Sequence, residues 1–142
     1  MKKKIVSVIL VAAMAVGCLA GCGSKEAKNE DAFYIGGIGP VTGDAAIYGT
    51  AVQNGAQIAV DEINEAGGIN GHQIEYNFQD DQGDPEKAAN AYNTLKDWGM
   101  QVLMGTVTTG PCVSVADLTA ADNMFQITPC LLYTSDAADD KA

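Results

Sequence analysis

Arginine is absent from this 142-residue chain, and its eight basic residues are all lysines. Three of the lysines stand at positions 2–4, ahead of an apolar run, and the whole chain carries a formal net charge of −10. Surfaces that bind nucleic acid use clusters of lysine and arginine to neutralise phosphates. The composition therefore argues against nucleic acid as a partner.

Histidine and paired cysteines are also scarce. Because His72 is the single histidine, every Ser-His-Asp arrangement would depend on it, and a solvated loop position suits it better. Cys112 and Cys130 have no CxxC or CxxH partner of the kind that zinc sites use. We therefore predict no catalytic residue, no metal site and no cofactor, and we expect binding rather than catalysis.

Phosphate-binding loops are missing as well. The stretch GGIGPVTG at 36–43 fails the GxGxxG spacing, and Pro40 removes an amide that such a turn would use. No GxxxxGK loop occurs either. A nucleotide-dependent α/β enzyme is thus the less favoured alternative.

Acidic residues gather between Asp80 and Asp84. Three carboxylates in one loop can indicate a site for a hard cation. The simpler interpretation is a solvated loop in which Asp84 caps a helix that begins at Pro85, since Pro is favoured at the first helical position.

The N-terminal segment has the pattern of an export signal. Lysines at 2–4 precede an apolar run over 5–20, which is shorter than the roughly 20 residues that a membrane-spanning helix needs. The stretch LAGC at 19–22 resembles the lipobox of bacterial lipoproteins. This resemblance implies a signal peptide over 1–21 and a lipid anchor on Cys22, with Cys18 as a weaker candidate.

From Phe33 onward, apolar residues recur either at the spacing of strands or at the spacing of helices. A polar, flexible tether over 22–32 precedes this region. Short apolar or alternating runs predict strands, and stripes at helical spacing predict helices. Strands are predicted at 33–38, 72–78, 102–104 and 124–128, and helices between Gly49 and Gly67, from Asp84 to Trp98, and from Pro111 to about Asp122. The alternation predicts an α/β fold, with a parallel sheet and helices on both of its faces.

Ligands in open parallel sheets gather at the carboxyl ends of the strands, where this chain has turns at 39–49 and 106–111. The second turn crowds hydroxyls before a helix, whose first amides are unpaired and can hold a carboxylate. Alternatively, Thr108 or Thr109 merely caps the helix. The residue chemistry leaves both interpretations open.

The stretch from IGGIGPVTGDAAIYG through INEAGGING and DDQGDP to GTVTTGP resembles the start of the periplasmic-binding-protein type 1 fold. The most similar members look like the branched-chain amino acid (Leu/Ile/Val) substrate-binding proteins of ABC importers. The resemblance covers about 33–129 and implies the first part of lobe one of a two-lobed, extracytoplasmic receptor. Its implied partners are an amino acid or similar small polar solute, an ABC permease and, through the anchor, the membrane.

The resemblance also implies site residues. Thr109, with Thr108 and Gly110 beside it, would bind the α-carboxylate or α-amino group of the ligand, and Tyr48 would line the end of the pocket that takes the ligand side chain. Some members have a disulfide between the positions of Gly83 and Thr108, which is impossible here. A ligand-sensing module coupled to signalling is the alternative with the same fold.

The segment after Pro129 departs from the family pattern. One permitted coding string for residues 130–139 resembles the end of a transposase adapter used in sequencing libraries. We therefore interpret 130–142 as a non-native tail, the alternative being a natural, divergent, acidic terminus. On the first interpretation, Cys130 is no disulfide partner for Cys112. A chain limited to 33–129 would expose a sheet edge, and we expect it to be marginally stable.

Overall fold

Seven elements alternate along the computed structural model, which describes residues 29–129. The predicted signal peptide, Cys22, most of the predicted tether and the segment 130–142 lie outside the described residues. The elements are β1 (Phe33–Gly39), α1 (Ala46–Glu65), β2 (Ile74–Asp80), α2 (Pro85–Trp98), β3 (Val102–Gly105), α3 (Thr109–Asp122) and β4 (Phe125–Ile127).

The four strands form one parallel sheet in the order β2-β1-β3-β4. Across the sheet, the connection from β1 leads to β2 on one side of it. The connection from β2 leads back past β1 to β3 on the other side. Because such crossovers are right-handed, α1 lies on one face, and α2 and α3 lie on the other. In agreement, α1 packs against β1 and β2, whereas α2 packs against α3. The predicted parallel α/β fold is confirmed.

The face under α2 and α3 carries the hydrophobic core. Tyr92, Leu95 and Ala88 of α2 are fully buried, as the helical stripe predicts, and Trp98 is packed at the margin of the core. The core consists of Ile38, Ala88, Ala91, Tyr92, Leu95, Met100, Leu103 and Val115. Gly36 of β1 lies under this cluster, and a Cβ there would be 2.6 Å from the sulfur of Met100.

Helix α2 begins and ends where its sequence signals predict. The Asp84 carboxylate accepts hydrogen bonds from the amides of Glu86 and Lys87, each at 2.9 Å, and Pro85 takes the first helical position. Gly99 ends the helix with φ +92°, a conformation that glycine adopts without strain. The interpretation of Asp84 as a helix cap is confirmed.

Helix α1 begins earlier than predicted. The loop expected to reach Gly49 ends at Ala45, and Tyr48 therefore lies in the first turn of the helix. Ala45 stands at the cap position without a side-chain hydrogen bond. A backbone turn starts the helix instead, with the Ala46 amide donating to the Gly43 carbonyl at 3.2 Å.

Strand β2 begins two residues later than predicted, at Ile74, and continues to Asp80. His72 instead pairs with Ile69 in an isolated bridge, where it is exposed. The Asn64 side chain of α1 accepts from the Ile74 amide at 2.7 Å and donates to the Ile74 carbonyl at 2.9 Å. The Asn64 side chain thus makes the hydrogen bonds to the Ile74 backbone that a neighbouring strand would otherwise make.

Apolar side chains remain on the surface at the other edge of the sheet and on α1. Phe125 and Ile127 of β4 are 61% and 55% exposed, and Ile47 and Ile58 of α1 are 74% and 60% exposed. Within residues 29–129, no helix combines the length and apolar character needed to cross a bilayer.

Candidate functional site

The carboxyl ends of β1 and β3 define the candidate site. These strands are neighbours, but the connections that follow them lead to opposite faces of the sheet. A crevice opens at such a point, and open α/β sheets bind their ligands there. The loop 40–45 and the turn 106–108 line it, which are the two turns that the sequence predicts.

Glycines let the two sides of the crevice approach each other. A Cβ on Gly39 would lie 2.6 Å from Cγ2 of Val107, so Val107 takes the space that a side chain would fill. Gly105 has φ +148°, and a Cβ there would lie 2.5 Å from the Ile38 carbonyl oxygen. The turn after β3 therefore packs directly on the end of β1.

Asp80, the last residue of β2, holds the loop that follows β1. Its Oδ1 accepts from the amides of Val41 and Gln82, each at 2.9 Å, and its Oδ2 accepts from the Thr42 hydroxyl at 2.5 Å. Burial raises the pKa of Asp80, but these hydrogen bonds outweigh burial and hold the pKa below its ordinary value of 3.8.

Asp80→Asn is expected to lower the free energy of unfolding by about 1 kcal/mol at pH 7, since charged acceptors make stronger hydrogen bonds than neutral ones. Because the pKa of Asp80 is lowered in the folded state, the stabilisation that its carboxylate contributes is complete above pH 3.8 and is lost as the pH falls through the folded pKa. Urea unfolding of both proteins between pH 7 and pH 3 measures this. If the difference in unfolding free energy between wild type and Asp80→Asn grew toward acid pH, the lowered pKa of Asp80 would be contradicted.

Asp81 is fully buried beside Asp80 and differs from it in environment. Its Oδ1 accepts from the Gly83 amide at 2.8 Å, whereas Oδ2 has no hydrogen-bond partner in the described part of the chain. Burial, with a smaller effect of the charges on Asp80 and Asp84, raises the pKa of Asp81. The Asp81 side chain is thus held inside its own loop, 81–84, and is not exposed at the surface.

Helix α3 begins at Thr109, two residues before the predicted start at Pro111, and Thr108 takes the cap position. The prediction that left Thr109 and Gly110 in the turn is therefore wrong, since both lie in the first turn of the helix. Pro111 has no N–H, and the Cys112 amide donates to the Thr108 carbonyl at 3.0 Å. Helix geometry thus leaves the amides of Thr109 and Gly110 at the crevice without intrahelical partners.

Thr108 does not cap α3 with its side chain, although it occupies the cap position. Its hydroxyl oxygen is buried and has no hydrogen-bond partner among residues 29–129. An unpaired buried hydroxyl costs free energy unless something else satisfies it. Of the two interpretations of this turn, simple capping by Thr108 is wrong.

Two side chains, one from β4 and one from Thr128 just after it, hydrogen-bond to the turn, and sequence reasoning did not identify them. Gln126 Nε2 donates to the Gly105 carbonyl at 2.6 Å, and the Thr128 hydroxyl donates to the Thr106 carbonyl at 2.5 Å. Both residues lie in a short run predicted only as a strand. A glutamine inside that run is the one local signal that could have indicated a polar role.

Tyr48 follows the carboxyl end of β1, at the same edge of the sheet as the turn after β3. The first turn of α1 carries it, and its side chain is 54% exposed. Gly49 sits against Pro40, so α1 starts close to the loop that lines the crevice. Thr108, Thr109 and Gly110 follow β3, and Tyr48 follows β1, so the four residues lie beyond the carboxyl ends of two neighbouring strands.

No group of His, Cys, Asp or Glu side chains is arranged to hold a metal ion within 29–129. His72 is remote from the crevice, with Nδ1 2.7 Å from the Asp31 carbonyl and its ring edge against Phe33. Cys112 is a buried free thiol.

Known proteins resemble this chain in sequence and in fold. The periplasmic binding protein family matches residues 32–141, a range that includes most of the segment interpreted above as a tail. The chain belongs to the periplasmic binding protein family. Its members are solute-binding proteins, and membership implies an extracytoplasmic location.

Individual relatives are similar over the same region. The Leu/Ile/Val-binding protein BraC3 of Rhizobium johnstonii is 42% identical over 95 residues, which are 67% of this chain and 26% of that protein. A leucine-, isoleucine-, valine-, threonine- and alanine-binding protein of Pseudomonas aeruginosa is 34% identical over 120 residues, which are 84% of this chain and 31% of that protein.

A solved structure shows the same fold. The branched-chain amino acid transporter substrate-binding protein LivJ of Streptococcus pneumoniae, in complex with isoleucine, superposes with a TM-score of 0.67 at 35% identity. The match covers 70% of this chain and 29% of that one. The chain thus spans roughly a quarter to a third of the length of the relatives it matches.

Proposed function

We propose that residues 33–129 form the first part of lobe one of an extracytoplasmic receptor, which binds a branched-chain type amino acid and delivers it to an ABC permease. The observation that carries this proposal is the turn after β3. There the buried Thr108 hydroxyl has no hydrogen-bond partner among residues 29–129, and the amides of Thr109 and Gly110, in the first turn of α3, have no intrahelical partners.

The chemistry of the turn suits one end of an amino acid. Two free amides at a helix N-terminus and the hydroxyls of Thr108 and Thr109 are donors for a carboxylate, and the helix dipole adds to the attraction. Tyr48, half exposed across the opening, offers an apolar ring to the ligand side chain. The relatives named above bind leucine, isoleucine and valine, which supports an aliphatic ligand.

The receptor would use a second lobe to close over the ligand, by a hinge motion that excludes water from both faces. It would do no covalent chemistry. Residues 1–21 would direct export, and acyl chains on Cys22 would hold the receptor at the membrane beside its permease. In this proposal the natural chain continues past Pro129 with residues of the family pattern in place of 130–142.

Isothermal titration of the complete gene product with isoleucine tests the proposal. We expect Thr109→Val to weaken binding by about 10- to 100-fold, because a hydrogen bond to a charged group contributes about 1.5–3 kcal/mol. The intact mass of the same membrane-derived protein reports whether Cys22 is acylated.

Thr94→Val is the matched control. Thr94 lies on α2, where its hydroxyl donates to the Asn90 carbonyl at 3.0 Å, and the side chain is exposed. Its replacement is expected to leave affinity unchanged. Wild-type protein that binds no aliphatic amino acid would refute the proposed function, and equal affinities for wild type and Thr109→Val would refute the role of the turn.

A further inference from the structure

Gln126 occupies an unusual position for a polar residue. In the register of the sheet it pairs with Leu103, which is fully buried, so its side chain lies on the face that α3 covers. A parallel strand covered by helices ordinarily presents apolar side chains on that face. Gln126 is partly buried, and an amide withdrawn from water is unfavourable unless its ends are hydrogen-bonded.

Both ends of the Gln126 side chain are bonded. Nε2 donates to the Gly105 carbonyl at 2.6 Å, and Oε1 accepts from the Thr119 hydroxyl at 2.9 Å. The one proton of that hydroxyl is shared with the Ala116 carbonyl, which lies at 3.0 Å. The Gly105 carbonyl can only accept, so the amide nitrogen must face it and the oxygen must face Thr119. Thr119 is only 4% exposed, which fixes the other end of the bridge on α3.

The bridge joins the beginning of the turn to the helix that the turn leads into. Gly105 ends β3, and Thr119 lies within α3, while Thr108 to Gly110 lie between them along the chain. The Gly105 carbonyl lies beyond the paired residues of β3 and β4, whose register stops at Met104 and Ile127. Gln126 therefore supplies a hydrogen bond to the turn where the backbone ladder has ended.

We propose that Gln126 is a positioning residue for the ligand-binding turn, holding the Gly105 carbonyl so that the amides of Thr109 and Gly110 face the ligand. The inference rests on the proposed function for the ligand itself, although the placement of the turn can be measured without ligand. Gln126 need not touch the ligand, since its contacts are with Gly105, Thr119 and, at 3.9 Å, the sulfur of Cys112.

Gln126→Met in the complete gene product tests the inference, because methionine keeps the length of the side chain but has no N–H. We expect isoleucine affinity to fall about 5- to 30-fold, which corresponds to one lost hydrogen bond together with an unpaired carbonyl. We also expect the amide resonances of Thr106 to Gly110 to shift in the ligand-free protein, as recorded by 1H–15N NMR.

Two further variants separate positioning from general loss of stability. Gln126→Glu keeps an acceptor for Thr119 but turns an oxygen toward the Gly105 carbonyl, so its affinity is expected to fall further than that of Gln126→Met. Tyr92→Phe is the control, because it removes a single hydrogen bond between α2 and Asp122, at 2.9 Å, far along α3 from the turn. Its affinity and its turn resonances are expected to match the wild type.

The outcomes distinguish this inference from the proposed function. Wild-type protein that binds no aliphatic amino acid would refute the function, while shifted turn amides in Gln126→Met would still support the placement. Unchanged turn amides in Gln126→Met would overturn the inference, whatever the ligand. If Gln126→Met does not fold, Thr119→Val removes the other end of the bridge, and the same resonances are then expected to shift from their wild-type positions; unshifted resonances would overturn the inference.

Discussion

Gly49→Ala is expected to destabilise the protein by about 3 kcal/mol or more, which exceeds the usual cost of overpacking. A Cβ at this position would lie 1.8 Å from the Pro40 carbonyl oxygen and 2.5 Å from the Pro40 carbonyl carbon. Both are backbone atoms, so no side-chain rotation relieves the clash. Either α1 or the loop at the crevice must move.

Gly55→Ala, on the same helix, is the matched control. Within residues 29–129, no atom other than the neighbouring backbone of α1 itself lies within 4 Å of a Cβ at Gly55, and alanine is a better helix former than glycine. This variant is expected to stabilise the protein by roughly 0.5–1 kcal/mol. Urea unfolding of the complete gene product measures both variants, and effects of the same sign would contradict the packing of α1 on Pro40.

Gly105→Ala is expected to weaken isoleucine binding by about 100-fold or more, because it displaces the turn as a whole. The Cβ would lie 2.5 Å from the Ile38 carbonyl oxygen and 2.9 Å from the Ile38 nitrogen, on a central strand that cannot yield. The φ of +148° adds backbone strain for alanine. A shift of the binding groups by about 1 Å is enough for a loss of this size.

Titration of Gly105→Ala with isoleucine, at a temperature where circular dichroism shows it to be folded, separates affinity from stability. Gly55→Ala again serves as the control for replacing glycine by alanine, and its affinity should equal that of the wild type. Binding by Gly105→Ala within about threefold of the wild type would show that the turn does not depend on its contact with β1.

Helix α2 illustrates what local sequence signals determine. Asp84 and Pro85 start the helix and Gly99 ends it, and each acts through hydrogen bonds to residues within a few positions. The predicted boundaries are correct because no distant contact is needed to set them. The parallel sheet was predictable for a related reason, since short connections between alternating strands and helices leave few arrangements.

The starts of α1 and β2 were predicted less well. Helix α1 starts at Ala46 through a backbone hydrogen bond to Gly43, without a side-chain cap that a residue type could indicate. Strand β2 starts at Ile74, whose backbone bonds to the Asn64 side chain, and that contact has no signature in the adjacent sequence.

In the candidate site, too, some features were predicted from the sequence and others were not. The sequence located the turn after β3 but left ligand binding and helix capping as alternatives. Only the structure shows that the Thr108 hydroxyl makes no capping bond. Gln126 was not predicted at all, because its role depends on the register between β3 and β4 and on the packing of α3.

The hydrogen bonds of Asp80 also bear on conformational entropy. The carboxylate fixes Val41 and Thr42, which line the crevice, to the end of β2. Ordering the backbone of a loop residue costs about 1–2 kcal/mol of free energy, and this loop is ordered when the protein folds rather than when the ligand binds. A ligand that enters the crevice therefore meets a loop that is already ordered, and more of its contact energy remains as affinity.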